Sequence, residues 1–118
     1  MDTKFRPILE RLVRDAGLEG AVLTTADGLP VEAVLPAGLS EDRLAAMSAA
    51  ILSLGERAVF ELEKGQLEQI TVKSEKGYVI VTGIGVEAVL TVMADANAKL
   101  GLLYLEIRKA AQELMKLL

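Results

Sequence analysis

The chain has 118 residues, 52% of them hydrophobic, 25% charged and only 3% aromatic, with a net charge of −4 and no Cys, His or Trp. That length supports one buried core, and the apolar fraction excludes a disordered chain. Without Cys or His there is no disulfide, no thiol nucleophile, no Cys-based metal site and no imidazole base, and the acidic balance (pI about 4.9) speaks against nucleic acid.

Phe5, Ile8, Leu9, Leu12 and Val13 recur at helical spacing opposite Arg6, Glu10, Arg11 and Arg14. They predict an amphipathic first helix, ended at Gly17. Two apolar runs follow, 21–25 and 29–34, joined by Ala26-Asp27-Gly28, a strong hairpin signal. Pro30 cannot donate to an inner ladder, so the second run belongs at a sheet edge. Ser40 is an N-cap, with Glu41 and Asp42 in the first turn and Leu39 and Leu44 placed as a hydrophobic staple. The helix it opens is expected to run to about Lys64, with Gly65 at C′. Strand-like segments at 67–74, 78–82 and 86–94 form a meander, and a final helix starts near Asp95 or Asn97 with an apolar stripe through Leu100, Leu103, Tyr104, Ile107, Ala111, Leu114 and Leu118. Nothing divides this order, which gives one α+β domain over residues 1–118 around an antiparallel-dominated sheet.

The start of the chain mixes charges and has no signal-peptide core. Its longest uncharged runs, Leu44–Gly55 and Gly77–Val86, are far short of a membrane span. The expectation is a cytoplasmic protein.

Leu44–Gly55 is the most informative stretch: more than three helical turns without a charge. Leu44, Met47, Ile51, Leu54, Ala58 and Leu62 form one stripe. Opposite it lie Ala45, Ala46, Ala49, Ala50 and Ser53, all small. An Ala-rich face also suits an exposed helix, because Ala has the highest propensity. A helix apolar all round is buried all round, however, and a chain this short cannot cover it twice. A second copy of the same helix across a two-fold axis is the economical cover. The strand Leu67–Ser74 has neither Pro nor Gly, so as the other sheet edge it is a template for its own copy, with Lys73 a partial guard. The expected homodimer interface is therefore Leu44, Met47, Ser48, Ile51, Leu54, Gly55, Ala58 and Leu62 on the helix, with Ile70, Thr71, Val72 and Lys73 on the strand.

Motifs that look chemical have plainer readings. Gly83-Ile84-Gly85-Val86-Glu87-Ala88 matches a loose dinucleotide pattern, yet β-branched residues follow where a helix must open, so it is a hairpin turn. Glu61 and Glu63 are two apart and face different ways. The serines have no His to activate them, and Arg43 and Arg57 sit beside acids on a helix surface. No catalytic residue, cofactor or metal site is expected.

Leu18-Glu19-Gly20-Ala21-Val22-Leu23 followed by Asp27-Gly28, the Ala-rich 44–54 and Ala94-Asp95-Ala96-Asn97-Ala98-Lys99-Leu100-Gly101 together resemble the roadblock family, which includes the dynein light chain and the MglB-type regulators of Ras-like GTPases. The resemblance covers nearly the whole chain. It implies a profilin-like roadblock fold, α-β-β-α-β-β-β-α, whose five-stranded antiparallel sheet lies between the long middle helix and the other two. It also implies homodimers or paralogue heterodimers, with middle helices packed antiparallel and third strands paired edge to edge. The implied partners are Ras-like small GTPases, dynein intermediate chains or Ragulator-type scaffolds, and any effect on GTP hydrolysis would be indirect. The chain departs from MglB-type proteins in having no extended tail after Leu118, so a role needing such a tail is not expected of it.

Overall fold

Phe5, Ile8, Leu9 and Leu12 are all buried on one side of α1 (Arg6–Ala16), as their spacing requires. Gly17 ends that helix in the left-handed conformation (φ 65°) that lacks a Cβ penalty. The computed structural model describes residues 4–118, so residues 1–3 of the expected domain lie outside the described residues. Beyond α1 come β1 (Gly20–Thr25), β2 (Pro30–Val34), α2 (Glu41–Glu61), β3 (Ile70–Ser74), β4 (Gly77–Ile84), β5 (Ala88–Asp95) and α3 (Leu100–Leu117).

The five strands form one sheet in the order β2-β1-β5-β4-β3, every neighbouring pair antiparallel. Alternation along the strands gives the sheet two apolar faces. Ala21, Leu23, Ile80, Ile84, Leu90 and Val92 face α1 and α3, meeting Leu9, Leu12, Leu103, Ile107 and Leu114 in the larger core. Val22, Val81, Val89 and Thr91 lie on the other face, with Ala45 and Ser48 of α2. The molecule is thus a sheet between one long helix and two others, the expected profilin-like architecture.

Pro30 does place β2 at an edge. The outer rim there is further occupied by side chains. Ala33 N–H donates to Glu32 Oε1, the Ala33 carbonyl accepts from Arg6 Nη1, and Arg6 also pairs with Glu32 at 3.0 Å. Gly85, Val86 and Glu87 form the turn between β4 and β5, so the glycine-rich motif is a hairpin and opens no helix.

Several boundaries differ from expectation. Ser40 caps α2 as read, its Oγ accepting from Arg43 N–H. The helix ends at Glu61, however, and Glu63 (φ 55°), ahead of Gly65, takes the left-handed position after it. Strand β3 starts at Ile70, three residues late, because Ile70 is the first residue opposed by β4 and Leu67 turns under Gly55. Neither Asp95 nor Asn97 caps α3, whose N-cap is Lys99 without a side-chain bond. Asp95 Oδ1 instead accepts from Asn97 N–H, closing the turn before the helix.

Candidate interaction surface

Helix α2 crosses the sheet from one side to the other. A Cβ on Gly28, in the β1–β2 turn, would lie 3.4 Å from Ala46 and Ala49. One on Gly83 of β4 would lie 3.9 Å from Leu52, and one on Gly55 would press on Ile70 of edge strand β3 at 2.5 Å. By Gly55 the helix has reached the sheet edge. Six more helical residues then carry it about 9 Å beyond, roughly two strand spacings.

That geometry decides which of the expected interface residues are free. Leu44, Met47, Ile51, Leu54, Ala58 and Leu62 are left wholly or partly in solvent, and Leu54 and Leu62 are 70% and 69% exposed. On β3, Thr71, Val72 and Lys73 are exposed and Ile70 half-buried. Two of the expected residues are engaged within the chain. Ser48 is 1% exposed, its Oγ accepting from Thr91 Oγ1 and donating to the Leu44 carbonyl, both at 2.7 Å. Gly55 faces Ile70 of its own chain and serves as the notch that lets helix and edge strand approach. Ala45 is likewise buried against the sheet rather than part of a free small face. Phe60, 80% exposed near the helix end, is an apolar residue the periodicity missed. It lies outside the uncharged stretch, between Val59 and Glu61, and only the overhang explains it.

Beside α2, toward β3, the sheet is uncovered. A groove of about 420 Å³ runs there, its walls including Leu39, Leu44, Met47, Val72, Val79 and Met93. Leu39 and Leu44, the expected staple, both line it. Its polar groups near the floor, Ser48 and Thr91, bond one another, so they offer a ligand no free donor directed inward. On the opposite face of the edge, Thr71 Oγ1 and Tyr104 OH share a 2.9 Å hydrogen bond that ties β3 to α3. Among the described residues no three His, Cys, Asp or Glu side chains converge as a metal site. No helix there is long and apolar enough to cross a membrane. The surface offers an apolar helix flank, a groove and an open strand.

The sequence model of the Roadblock/LC7 domain matches residues 4–94, from the start of α1 to within one residue of the end of β5. The chain belongs to the Roadblock/LC7 family. Three uncharacterized proteins of Methanocaldococcus jannaschii are each 30% identical to this roadblock domain over 107 residues, covering 91% of it and at least 90% of their own length. Among solved structures, Myxococcus xanthus MglB superposes with a TM-score of 0.92 at 24% identity, over 98% of this chain and 94% of that one. An MglB with a tetrameric arrangement gives 0.88 at 22% identity, over 96% and 86%. Profilin IA of Acanthamoeba castellanii gives 0.66 at 14% identity, over 96% and 98%, a likeness of fold alone.

Proposed function

We propose that this roadblock domain is a homodimeric, non-enzymatic adaptor that binds a Ras-like small GTPase in the cytoplasm and modulates its nucleotide cycle. One observation carries the reading: α2 leaves its outer flank and last turns apolar and unburied, next to an unpartnered edge strand. Leu54 and Leu62, more than two thirds exposed, have no use in a solitary surface helix. A copy related by a two-fold axis at β3 sets its own sheet under the overhang of α2. It also brings the two helix flanks together antiparallel, each against the other's groove. The neighbouring MglB structures and the sequence resemblance to MglB-type regulators support a GTPase as the partner of the assembled surface.

The chain itself has no His or Cys and no phosphate-binding loop. Its action on a GTPase is then to bind and reposition the GTPase's own switch segments, a shift of population set by its differing affinity for the two nucleotide states. The test has two parts. Light scattering at micromolar concentration should give twice 12.6 kDa. A pull-down from source lysate with GDP or a GTP analogue should then capture a small GTPase in a nucleotide-dependent way. A monomeric mass refutes the dimer, and nucleotide-independent capture or none refutes the GTPase.

The groove favours a second reading, a signalling scaffold or sensory module that holds another protein or a small apolar ligand without a GTPase. Burial of the groove on dimerisation separates the two readings, because a ligand site must stay open in the assembled protein.

A further inference from the structure

A second groove runs along α3, on the face of the sheet away from α2. It measures about 450 Å³ and lies between the C-terminal half of that helix and the end of β4 with its turn, Gly83–Gly85. Its middle is apolar. Ala111 lines it, and Met115 lies against the turn, where a Cβ on Gly85 would come within 3.0 Å of Met115 Cε. Met115 is still 49% exposed, a flexible thioether placed where it can adapt to an incoming side chain.

Cations stand at both ends. Arg108 and Lys116 line the groove, are exposed, and form no ion pair among the described residues. The acids of α3 are turned elsewhere, Glu106 pairing with Lys109 and Glu113 with Arg11 of α1. Among the described residues no acid lines this groove, so on a chain of net charge −4 it presents the opposite sign. Past Arg108 and Ala111, which line both, is a smaller hollow that holds Thr82 and Glu68. The Thr82 Oγ1 is buried without a hydrogen-bond partner, and Glu68 does not pair with Arg108.

Spacing points to the occupant. Eight helical residues separate Arg108 from Lys116, about 12 Å along the axis. An extended chain turns every second side chain to the same face, so three alternate side chains span about 13 Å. We propose that this groove binds an extended acidic segment of a partner protein, with an acid at Arg108, an apolar side chain against Ala111 and Met115, and a second acid at Lys116. The cations fix register by charge, and the apolar middle adds buried area. A cleft walled by a helix and a hairpin suits a single chain better than a flat anionic lipid surface, which the net charge of the protein also repels. The groove lies across the sheet from the α2 flank, so the proposal rests neither on the homodimer nor on a GTPase.

The probe is the capped peptide Glu-Ser-Leu-Ser-Glu, titrated at low salt into the isotope-labelled full chain and followed by amide NMR shifts. Saturable shifts should map to residues 83–85 and 108–116, shrink at high salt, and be missing with Lys-Ser-Leu-Ser-Lys. Arg108→Gln and Lys116→Gln should each weaken binding about threefold, the range of an exposed ion pair. Glu68→Gln should tighten it by removing a competing acid beside Arg108, and Met115→Glu should abolish it while the spectrum elsewhere is unchanged. Equal binding of the two peptides, shifts confined to the groove beside α2, or parental affinity in the Arg108→Gln/Lys116→Gln double variant overturns the proposal. No saturable shift also overturns it. If the protein then sediments with phosphatidylserine vesicles through the same two cations, the surface is a membrane contact instead.

Discussion

Replacing Leu54 by Glu tests the helix flank most directly. Leu54 leaves 70% of its surface in water within one chain, so the substitution removes little from the protomer. Full burial of a leucine contributes about 1.5–3 kcal/mol, so the exposed fraction contributes about 1–2 kcal/mol per copy and about 2–4 kcal/mol per dimer. Desolvating an unpaired carboxylate at the same seam adds several kcal/mol more. The dimer Kd should therefore rise by at least about a thousandfold, since each 1.4 kcal/mol is tenfold. Sedimentation velocity from nanomolar to high micromolar reads the Kd, and far-UV circular dichroism reads the fold. Leu54→Glu should run as a monomer with unchanged helix content. A dimer of parental affinity would refute the seam. A variant that loses its helix signal when dilute would refute the premise that Leu54 is idle in the protomer.

Other predictions concern the protomer. Ser48→Ala strips the buried Thr91 hydroxyl of its acceptor and should cost about 1–3 kcal/mol in urea unfolding, while Ser48→Ala/Thr91→Val recovers most of that loss because no hydroxyl remains unsatisfied. Gly77→Ala puts a Cβ 2.1 Å from the Ala94 carbonyl oxygen. Backbone cannot yield there, so about 3 kcal/mol or more should be lost, whereas Gly101→Ala, with nothing within 4 Å, should be neutral or gain up to about 1 kcal/mol. Gly55→Ala sets its helix-propensity gain of about 1 kcal/mol against a 2.5 Å approach to Ile70 Cδ1. It should be destabilising alone, and Ile70→Val, which removes that methyl, should raise the melting temperature of Gly55→Ala; a lower one in the double variant refutes the notch.

The parts of this fold that were legible in sequence carry their own physical marker. Pro30 announces an edge because it has no N–H, Ser40 announces a helix start because its hydroxyl can reach an orphan donor, and the β-branched run after Gly85 rules out a phosphate-binding helix. The surface was legible in outline only. Helix α2 has no charge over 44–55, so nothing in its sequence marks which flank meets water. The stripe through Leu44, Met47, Ile51, Leu54, Ala58 and Leu62 lies only about 100° around the helix from Ala45, Ser48, Leu52 and Val59. Both stripes are apolar, and periodicity alone cannot assign one of them to the sheet. Ser48 and Gly55 sit near the boundary between the two flanks, and the sheet claims both. The ends of α2 and β3 were misplaced for a related reason. Gly65 is a good terminator, but Ile70 is where β4 begins to pair, and the loop between must return from a helix that overshoots the edge.

The two rims of the sheet are chemically unequal. At β2, Ala33 has both its N–H and its carbonyl engaged by Glu32 and Arg6, so an incoming strand must first break those bonds on a rim that Pro30 already interrupts. At β3, among the described residues, nothing comparable stands in the way. A sheet with one plugged rim and one open rim can be extended once. On the homodimer reading, a copy that docks on β3 consumes the open rim of both molecules among the described residues. On that reading strand addition stops at two chains, so the rim that invites a partner also limits how far the sheet can grow.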